Sequence, residues 1–583
     1  VKFPSNKSKN VQKYISALME NGIIAFSNKL GDRIAVSGDL SGSSFHHHQW
    51  KRKFIADLVI WPKSVSQIQF IVELAEKLNL SLTVRGGGCN YFGSTHPFNG
   101  GIILDLKRMN QFHFNLEAKT MTVEAGSVIS TVMDYLNRHS FQLCVYPTSS
   151  LSATFAGWLS TGGSIGIGSS SYGEFLSQIE KLAVISPTGK IIEVSTKEEI
   201  SLYVGSLGLF GIITSITFRV VPQFSLFPYY LQVESLTTLN STLSKIAELE
   251  DVYFCFFSNF GLHSLRNLHE VQSGNVPFYI LLVTRTLLNS ADEFFDQAEI
   301  THYSKILAQE VWQNRFKFEL APKRGNTVLI SQHYKVSIEL LIQVLKKANF
   351  KFKKAQIRSF YSGIVVSPEQ IRLSISIPST GDLFDHLLPS KAILHSLTNY
   401  IYQNNGCLYT LGLLNFIYGQ KFESSQLKLL KKRKKALDPS SRLNPGKLTY
   451  GTATYFRMQI LFGLNSFWRR HLRGGRKSRE RKCNLETKEI QSPGIFDLCS
   501  SCGFCRNKCP AYLVDPNEIY SPSGRFRLVS TMIEEKINPF PFEFIDSLFR
   551  CTTCQACEKI CPLEIPIVNI VEYLRAKINS SSK

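Results

Sequence analysis

Ser81-Leu82-Thr83-Val84-Arg85-Gly86-Gly87-Gly88-Cys89-Asn90 is the stretch on which the fold turns. Ser81 to Val84 reads as a short strand that runs without a spacer into three consecutive glycines. Lacking Cβ atoms, these glycines let backbone N–H groups close on a pyrophosphate and adopt positive φ at little cost. Upstream, Ala56-Asp57-Leu58-Val59-Ile60 reads as an apolar strand and Ser66 to Leu78 has helical periodicity, so strand and helix alternate from about Phe54. A glycine run alone is often an ordinary loop. The segments C-terminal to it decide between the two.

Downstream stand Gly101-Ile102-Ile103-Leu104-Asp105-Leu106, Thr122-Val123-Glu124-Ala125-Gly126 and Tyr146-Pro147-Thr148-Ser149-Ser150. After these come the glycine-rich segment from Thr154 to Ser169, Leu182 to Gly189, and Gly205 to Thr214. In this order and spacing they resemble the PCMH-type FAD-binding domain of the vanillyl-alcohol-oxidase-like flavoproteins, over residues 54–222. The resemblance implies that Arg85, Gly86, Gly87, Gly88, Cys89 and Asn90, with Pro147, Thr148 and Ser149, surround the diphosphate and isoalloxazine of FAD. Thr154, Gly157, Thr161, Gly162, Gly163 and Gly166 would continue the cradle, and Gly211, Ile212 and Ile213 would reach the adenine or ring edge. Some relatives carry a flavin-linking histidine after the glycine run. Here Cys89 stands there, so FAD is expected to be held non-covalently.

Residues 223–450 carry strands such as Pro277 to Val283 and amphipathic helices, which suggests an α+β substrate cap. The segment from Ala436 to Leu448 resembles the terminal signature of FAD-linked oxidases, where the chain returns from cap to flavin domain. Trp312-Gln313-Asn314-Arg315 is similar to the W-x-x-R segment of D-2-hydroxy-acid dehydrogenases, which implies that Arg315 holds a substrate carboxylate. A guanidinium fork suits that task. An arginine on a helix surface is the plainer reading. His333 and Lys335 lie downstream, where a base and a second cation could sit. The His-x-Gly-Asp-Gly-Asn-x-His stretch of metal-dependent members is not reproduced by Gly381-Asp382-Leu383 and His386, so a catalytic divalent metal is unsupported. His46-His47-His48 reads most simply as a polar loop.

Eight of the thirteen cysteines fall in two runs, Cys499-x2-Cys502-x2-Cys505-x3-Cys509-Pro510 and Cys551-x2-Cys554-x2-Cys557-x3-Cys561-Pro562. In two-cluster ferredoxins three thiolates of each run hold one [4Fe–4S] cluster and the fourth ligates the other. That rule assigns Cys499, Cys502, Cys505 and Cys561 to one cluster and Cys551, Cys554, Cys557 and Cys509 to its neighbour. Structural zinc prefers separated pairs that build one tetrahedral site, and disulfides belong to oxidising compartments, so both fit less well. Cys89, Cys144, Cys255, Cys407 and Cys483 lie outside the runs and need no metal.

The chain has 583 residues, is 44% apolar and carries a formal charge of +21. No apolar run approaches the roughly 18 residues that suggest a membrane span. Positive charge gathers at Lys428, Lys431 to Lys435, and again between Arg469 and Lys482, without an accompanying nucleic-acid motif. The second run comes after the aromatic and aliphatic stretch Tyr455 to Trp468. A solvated interdomain linker is the first reading of this segment, and a surface-lying membrane anchor is the second. The expected location is cytoplasmic, with peripheral contact at the inner membrane face if the second reading holds.

These signals divide the chain into five segments: an N-terminal part packing on the FAD domain (1–53), the PCMH-type FAD domain (54–222), the cap (223–450), a basic linker (451–488) and a two-cluster domain (489–583). The fold class is α+β with a mainly helical, ferredoxin-like C-terminal domain. The assembly resembles the flavin subunit of glycolate oxidase fused to the ferredoxin-like part of its iron–sulfur subunit, including Ser521-Pro522-Ser523-Gly524-Arg525 between the runs. It implies oxidation of a small 2-hydroxy acid, of D-lactate or glycolate type, by hydride transfer to FAD N5. Single electrons would then pass through two clusters to a quinone or carrier protein. The Cys-Cys-Gly repeats of that subunit do not occur here, so a partner subunit carrying them is a further candidate acceptor. A reductase running the relay backwards and a non-catalytic electron-transfer subunit are the alternatives. The long cap speaks against the latter.

Overall fold

The computed structural model describes residues 5–40, 54–91, 93–262, 277–288, 300–326, 328–379, 388–410, 424–447, 498–534 and 541–581. The histidine triplet, the 381–386 segment, the 451–488 stretch and Cys483 lie outside the described residues. Among these residues the architecture is mixed α+β with three sheets, followed by a mostly helical C-terminal domain.

The first sheet orders Phe26–Ser27, Leu58–Ile60, Ile102–Asp105 and Leu82–Arg85, with the last three parallel. Val65–Lys77 is the crossover helix. Ser64 accepts from Gln67 N at its N-cap, and Ile68, Ile71, Val72 and Ala75 bury one face at helical spacing. Parallel strands need such a covering helix, and the apolar run Leu58–Ile60 is buried throughout. The second sheet is antiparallel around the long strand Ile212–Pro222, which pairs with Thr120–Glu124, Ile179–Ile185 and Phe141–Leu143.

The cap is built on an eight-stranded sheet. Its strand Gln370–Ser379 alternates strictly: Ile371, Leu373, Ile375 and Ile377 enter a core with the helices Ile338–Ala355 and Leu388–Gln403, while Arg372, Ser374 and Ser376 take the other face. Val328–Val336 pairs with it antiparallel, setting His333 opposite Ser374 and Lys335 opposite Arg372. The polar face of this sheet is thereby turned toward the flavin half.

The chain then returns to its first sheet. Leu82 N donates to Arg442 O, Asn444 N donates to Leu82 O, and Asn444 Oδ1 accepts from Val84 N. Lys434 is buried, its ammonium donating to Asp438 Oδ2, Leu209 O and Leu443 O. In the C-terminal domain the short helix Pro510–Val514 follows the first cysteine run and Ala556–Ile560 lies within the second, and Pro522–Glu534 and Ile567–Ser581 pack around a small core including Phe526, Leu528, Phe544, Leu548 and Ile570. The N-terminal segment touches both halves. Tyr14 donates to Ile71 O on the crossover helix, whereas Arg527 of the C-terminal domain donates to Ala35 O and Gly38 O.

Candidate functional site

A cavity opens where the glycine loop, the glycine-rich segment and the polar face of the cap sheet meet. Gly86, Gly87, Gly88, Cys89 and Asn90 line it, with Pro147, Thr148, Ser149, Thr154, Gly157, Thr161, Gly163, Gly211, Ile212 and Ile213. Local chemistry explains this convergence. Thr154 caps the helix Phe155–Ser160, accepting from Gly157 N, and a Cβ on Gly86 would stand 2.5 Å from the Thr154 hydroxyl. Gly88 takes φ +61, a conformation that favours glycine.

Three residues expected in the cradle are placed elsewhere, each by its local geometry. Arg85 points to the opposite side of its strand from Val84, which does line the cavity, because successive strand residues alternate. Its guanidinium is fully buried instead, bonded to Gly38 O at 2.7 Å and 3.7 Å from Asp105. Gly166 lies against Tyr146 O, where a Cβ would come within 2.2 Å, beside the backbone bridge between Tyr146 and Ile167. Gly162, at φ +85, packs against Gly205 and Thr410.

The cap contributes Glu319, His333, Arg372, Tyr409 and Thr410 to the cavity, and the loop beyond the glycines contributes Tyr91, Ser94 and Thr95. Arg372 forms an ion pair with Glu319, and its Nε–H is buried without a hydrogen-bond partner among the described residues. Burial lowers the proton affinity of His333, to a pKa of about 4, so its imidazole is neutral at pH 7. Its Nε2 lies 3.1 Å from Ser331 Oγ, which is 2.9 Å from Ser376 Oγ. The Tyr91 ring stands 6.0 Å from that of His333. Tyr409 accepts from Ser164 N and Ile165 N, tying the cap to the glycine-rich segment.

Arg315, the arginine expected to meet a carboxylate, does not line the cavity. Its guanidinium stacks 4.3 Å from the Trp312 ring centroid and 4.5 Å from that of Phe316, and donates to Trp312 O. The helix Lys305–Gln313 ends just before it, and the 3-10 turn that comes next directs the side chain back onto that helix. Lys335 is likewise engaged elsewhere, with Glu174 at 2.6 Å. Arg372 escaped the sequence reading because an arginine on the polar side of an alternating strand looks solvated. Its signal was the small partners Ser374 and Ser376 on the same face, which leave room for a second layer.

The cysteines gather in two groups. Cys499, Cys502, Cys505 and Cys561 line one pocket with Phe504, Phe526 and Ile567. Burial, then Cys561 and Cys499, push the Cys502 thiol up to about 12. Burial, then Cys551, Glu558, Cys509 and Cys554, push Cys557 up to about 12 as well. Thiols that raise one another's pKa in this way bind protons where they lack a metal, and four of them suit the chemistry of a [4Fe–4S] cluster. Among the described residues, however, no three His, Cys, Asp or Glu side chains stand close enough to form a ready metal site.

A buried ion network joins the two halves. Arg506 Nε lies 2.9 Å from Glu518, which also faces Lys107 at 3.8 Å and Arg85 at 4.0 Å, while Lys107 reaches Asp105 at 3.0 Å. Burial alone would raise the Glu518 carboxyl, but Arg506, Lys107 and Arg85 hold it down at about 2.

Residues 56–195 match the family described as "FAD binding domain", and residues 495–565 match the "4Fe-4S dicluster domain". The chain thus fuses a FAD-linked oxidoreductase domain of PCMH type to an iron–sulfur dicluster domain. Among curated proteins it is similar to alkyldihydroxyacetonephosphate synthase of Trypanosoma brucei brucei, 30% identical over 28% of this chain and 28% of that one. L-gulonolactone oxidase of Bos taurus is 28% identical over 35% of this chain and 48% of its own. D-lactate dehydrogenase of Archaeoglobus fulgidus is 25% identical over 28% and 39%. The chain therefore spans less than half the length of these relatives. Its fold is also that of p-cresol methylhydroxylase with substrate bound, at TM-score 0.62 and 14% identity over 76% of this chain and 97% of that one.

Proposed function

We propose that this protein is a FAD- and iron–sulfur-dependent dehydrogenase of a small 2-hydroxy acid, of D-lactate or glycolate type. The observation that carries the reading is the unpartnered, buried Nε–H of Arg372 in the cavity wall, among the described residues. A desolvated guanidinium with a spare donor suits a carboxylate, because a charge-assisted bond there is worth about twice a neutral one. Bound FAD would supply the hydride acceptor, and two [4Fe–4S] clusters a one-electron path outward.

Gly86 to Asn90, Pro147 to Ser149, Thr154, Gly157, Thr161 and Gly163 would hold the flavin against the cap. Neutral His333 would take the hydroxyl proton at Nε2 or Nδ1, with Ser331 orienting the ring. Glu319 would keep the Arg372 fork in place. Tyr91 lines this cavity and packs in one apolar cluster with Cys502, so the first cysteine group adjoins the cavity wall. A quinone or carrier protein, or a subunit carrying Cys-Cys-Gly repeats, would accept the electrons. A reducing, cytoplasmic setting suits the free thiols. The presence of D-lactate dehydrogenase among the relatives favours this substrate class.

Anaerobic mixing with D-lactate, glycolate and related 2-hydroxy acids tests the reading. Flavin absorbance should bleach first and the broad iron–sulfur absorbance afterwards. A flavin that dithionite reduces but no small 2-hydroxy acid bleaches would rule the substrate class out.

A further inference from the structure

Two loops that line the cofactor cavity are fastened to the first cysteine run by hydrogen bonds. Arg506, next in the chain after Cys505, donates from Nη1 to Gly87 O at 2.5 Å. Ser152 Oγ donates to Cys502 O at 2.6 Å, and Asn507 Nδ2 donates to Leu151 O at 3.2 Å. The segment so held leads from Pro147-Thr148-Ser149 into Thr154, all four of which line the cavity. The loops also press on one another, since a Cβ on Gly87 would stand 2.2 Å from Ser152 O.

Arg506 itself has little freedom. It is buried, pairs with Glu518, and sits in a single 3-10 turn, Arg506–Lys508, bounded by Cys505 and Cys509. Those two thiols belong to different groups, so iron held by both would clamp the turn at each end. Without that clamp, the only covalent restraint on the turn is the chain itself.

We propose that the first cysteine run is a latch on the flavin loops, with Arg506 as the positioning residue for Gly87, so that iron–sulfur clusters and FAD bind cooperatively. The inference rests on FAD occupying this cavity and not on any substrate or direction of electron flow. Coupling of this kind is reciprocal: the factor by which clusters tighten FAD is the factor by which FAD tightens the clusters. Arg506 can fork, serving Glu518 with Nε and Gly87 with Nη1. A lysine offers one ammonium on a flexible stem and cannot hold the same fork.

Equilibrium FAD binding to the full chain, followed by flavin fluorescence, tests the latch. Cluster-free protein prepared by anaerobic chelation should bind FAD at least about tenfold more weakly than cluster-replete protein, a difference of about 1.4 kcal/mol. FAD-stripped protein should lose iron to a chelator correspondingly faster. In cluster-replete protein, Arg506→Lys should weaken FAD about tenfold with iron content and thermal midpoint retained; a merely structural arginine would move the midpoint instead. Should chelation unfold the chain, Arg506→Lys and Ser152→Ala in the replete protein decide. Equal FAD affinity with and without clusters, or in Arg506→Lys and wild type, overturns the latch. Failure of replete wild type to bind FAD overturns the cavity assignment and the latch together.

Discussion

Two buried polar clusters stand at the cavity, one in its cap wall and one behind its glycine loop, and they differ in where their charges point. On the cap side, Arg372 keeps a donor free of partners among the described residues and His333 is held neutral, both facing the cavity. On the cysteine-run side, Arg506, Glu518, Lys107, Asp105 and Arg85 close on one another, and of these five Arg506 reaches toward the cavity, through Gly87 O. Buried ion pairs between domains hold them in register, whereas a buried donor that faces a cavity can meet a ligand. One cluster faces the cavity and the other ties the two halves together.

The largest effect should come from His333→Gln, which lowers kcat/KM for the oxidised acid by about 10²–10⁴. Wild-type kcat/KM should fall as pH drops through about 4, where the imidazole gains its proton, and the variant should lack that acid limb. An unchanged pH profile would move His333 to the structural side of the comparison.

Glu518→Gln should act on stability, by about 3–5 kcal/mol, because it leaves Arg506, Lys107 and Arg85 buried without their anion. The Glu518 carboxyl titrates near 2 in the folded chain and near 4.3 when unfolded. Its contribution is therefore complete above the unfolded value and lost as pH falls toward about 2. Denaturant melts across that window should show the slope in wild type and its absence in the variant. A large fall in kcat without loss of stability would break the contrast between the two clusters.

The smallest effects separate two arginines. Arg372→Lys keeps a cation for Glu319 but loses the fork, and KM should rise about 10- to 100-fold. Arg315→Ala removes stacking on Trp312 and Phe316, costs about 1 kcal/mol in the melt, and leaves KM unchanged. Reversed outcomes in a side-by-side KM comparison would return the carboxylate to Arg315.

Much of the flavin half was legible because its signals are local. A strand running into three glycines can approach a ligand closely whatever surrounds it, and Gly86, Gly87 and Gly88 do line the cavity. Arg85, one residue earlier, misled for an equally local reason: the strand's alternation turns it away from Val84's side, and no motif reports on which face a ligand lies. The W-x-x-R resemblance failed to foresee that Arg315 would find its own aromatic neighbours first. Arg372 and Glu319 lie far apart in sequence and pair only because the cap sheet brings their elements together.

Two cofactor-type domains in one chain are written in the order of residues alone, since glycine runs and cysteine spacings are short-range chemistry carried by near neighbours. How the two domains meet was settled by folding. Ser152 against Cys502, Arg506 against Gly87, and Glu518 against Lys107 and Arg85 are contacts between residues hundreds of positions apart on separate domains. Such contacts carry no periodicity or spacing, because their geometry is set by the packing of whole sheets and helices rather than by neighbours along the chain.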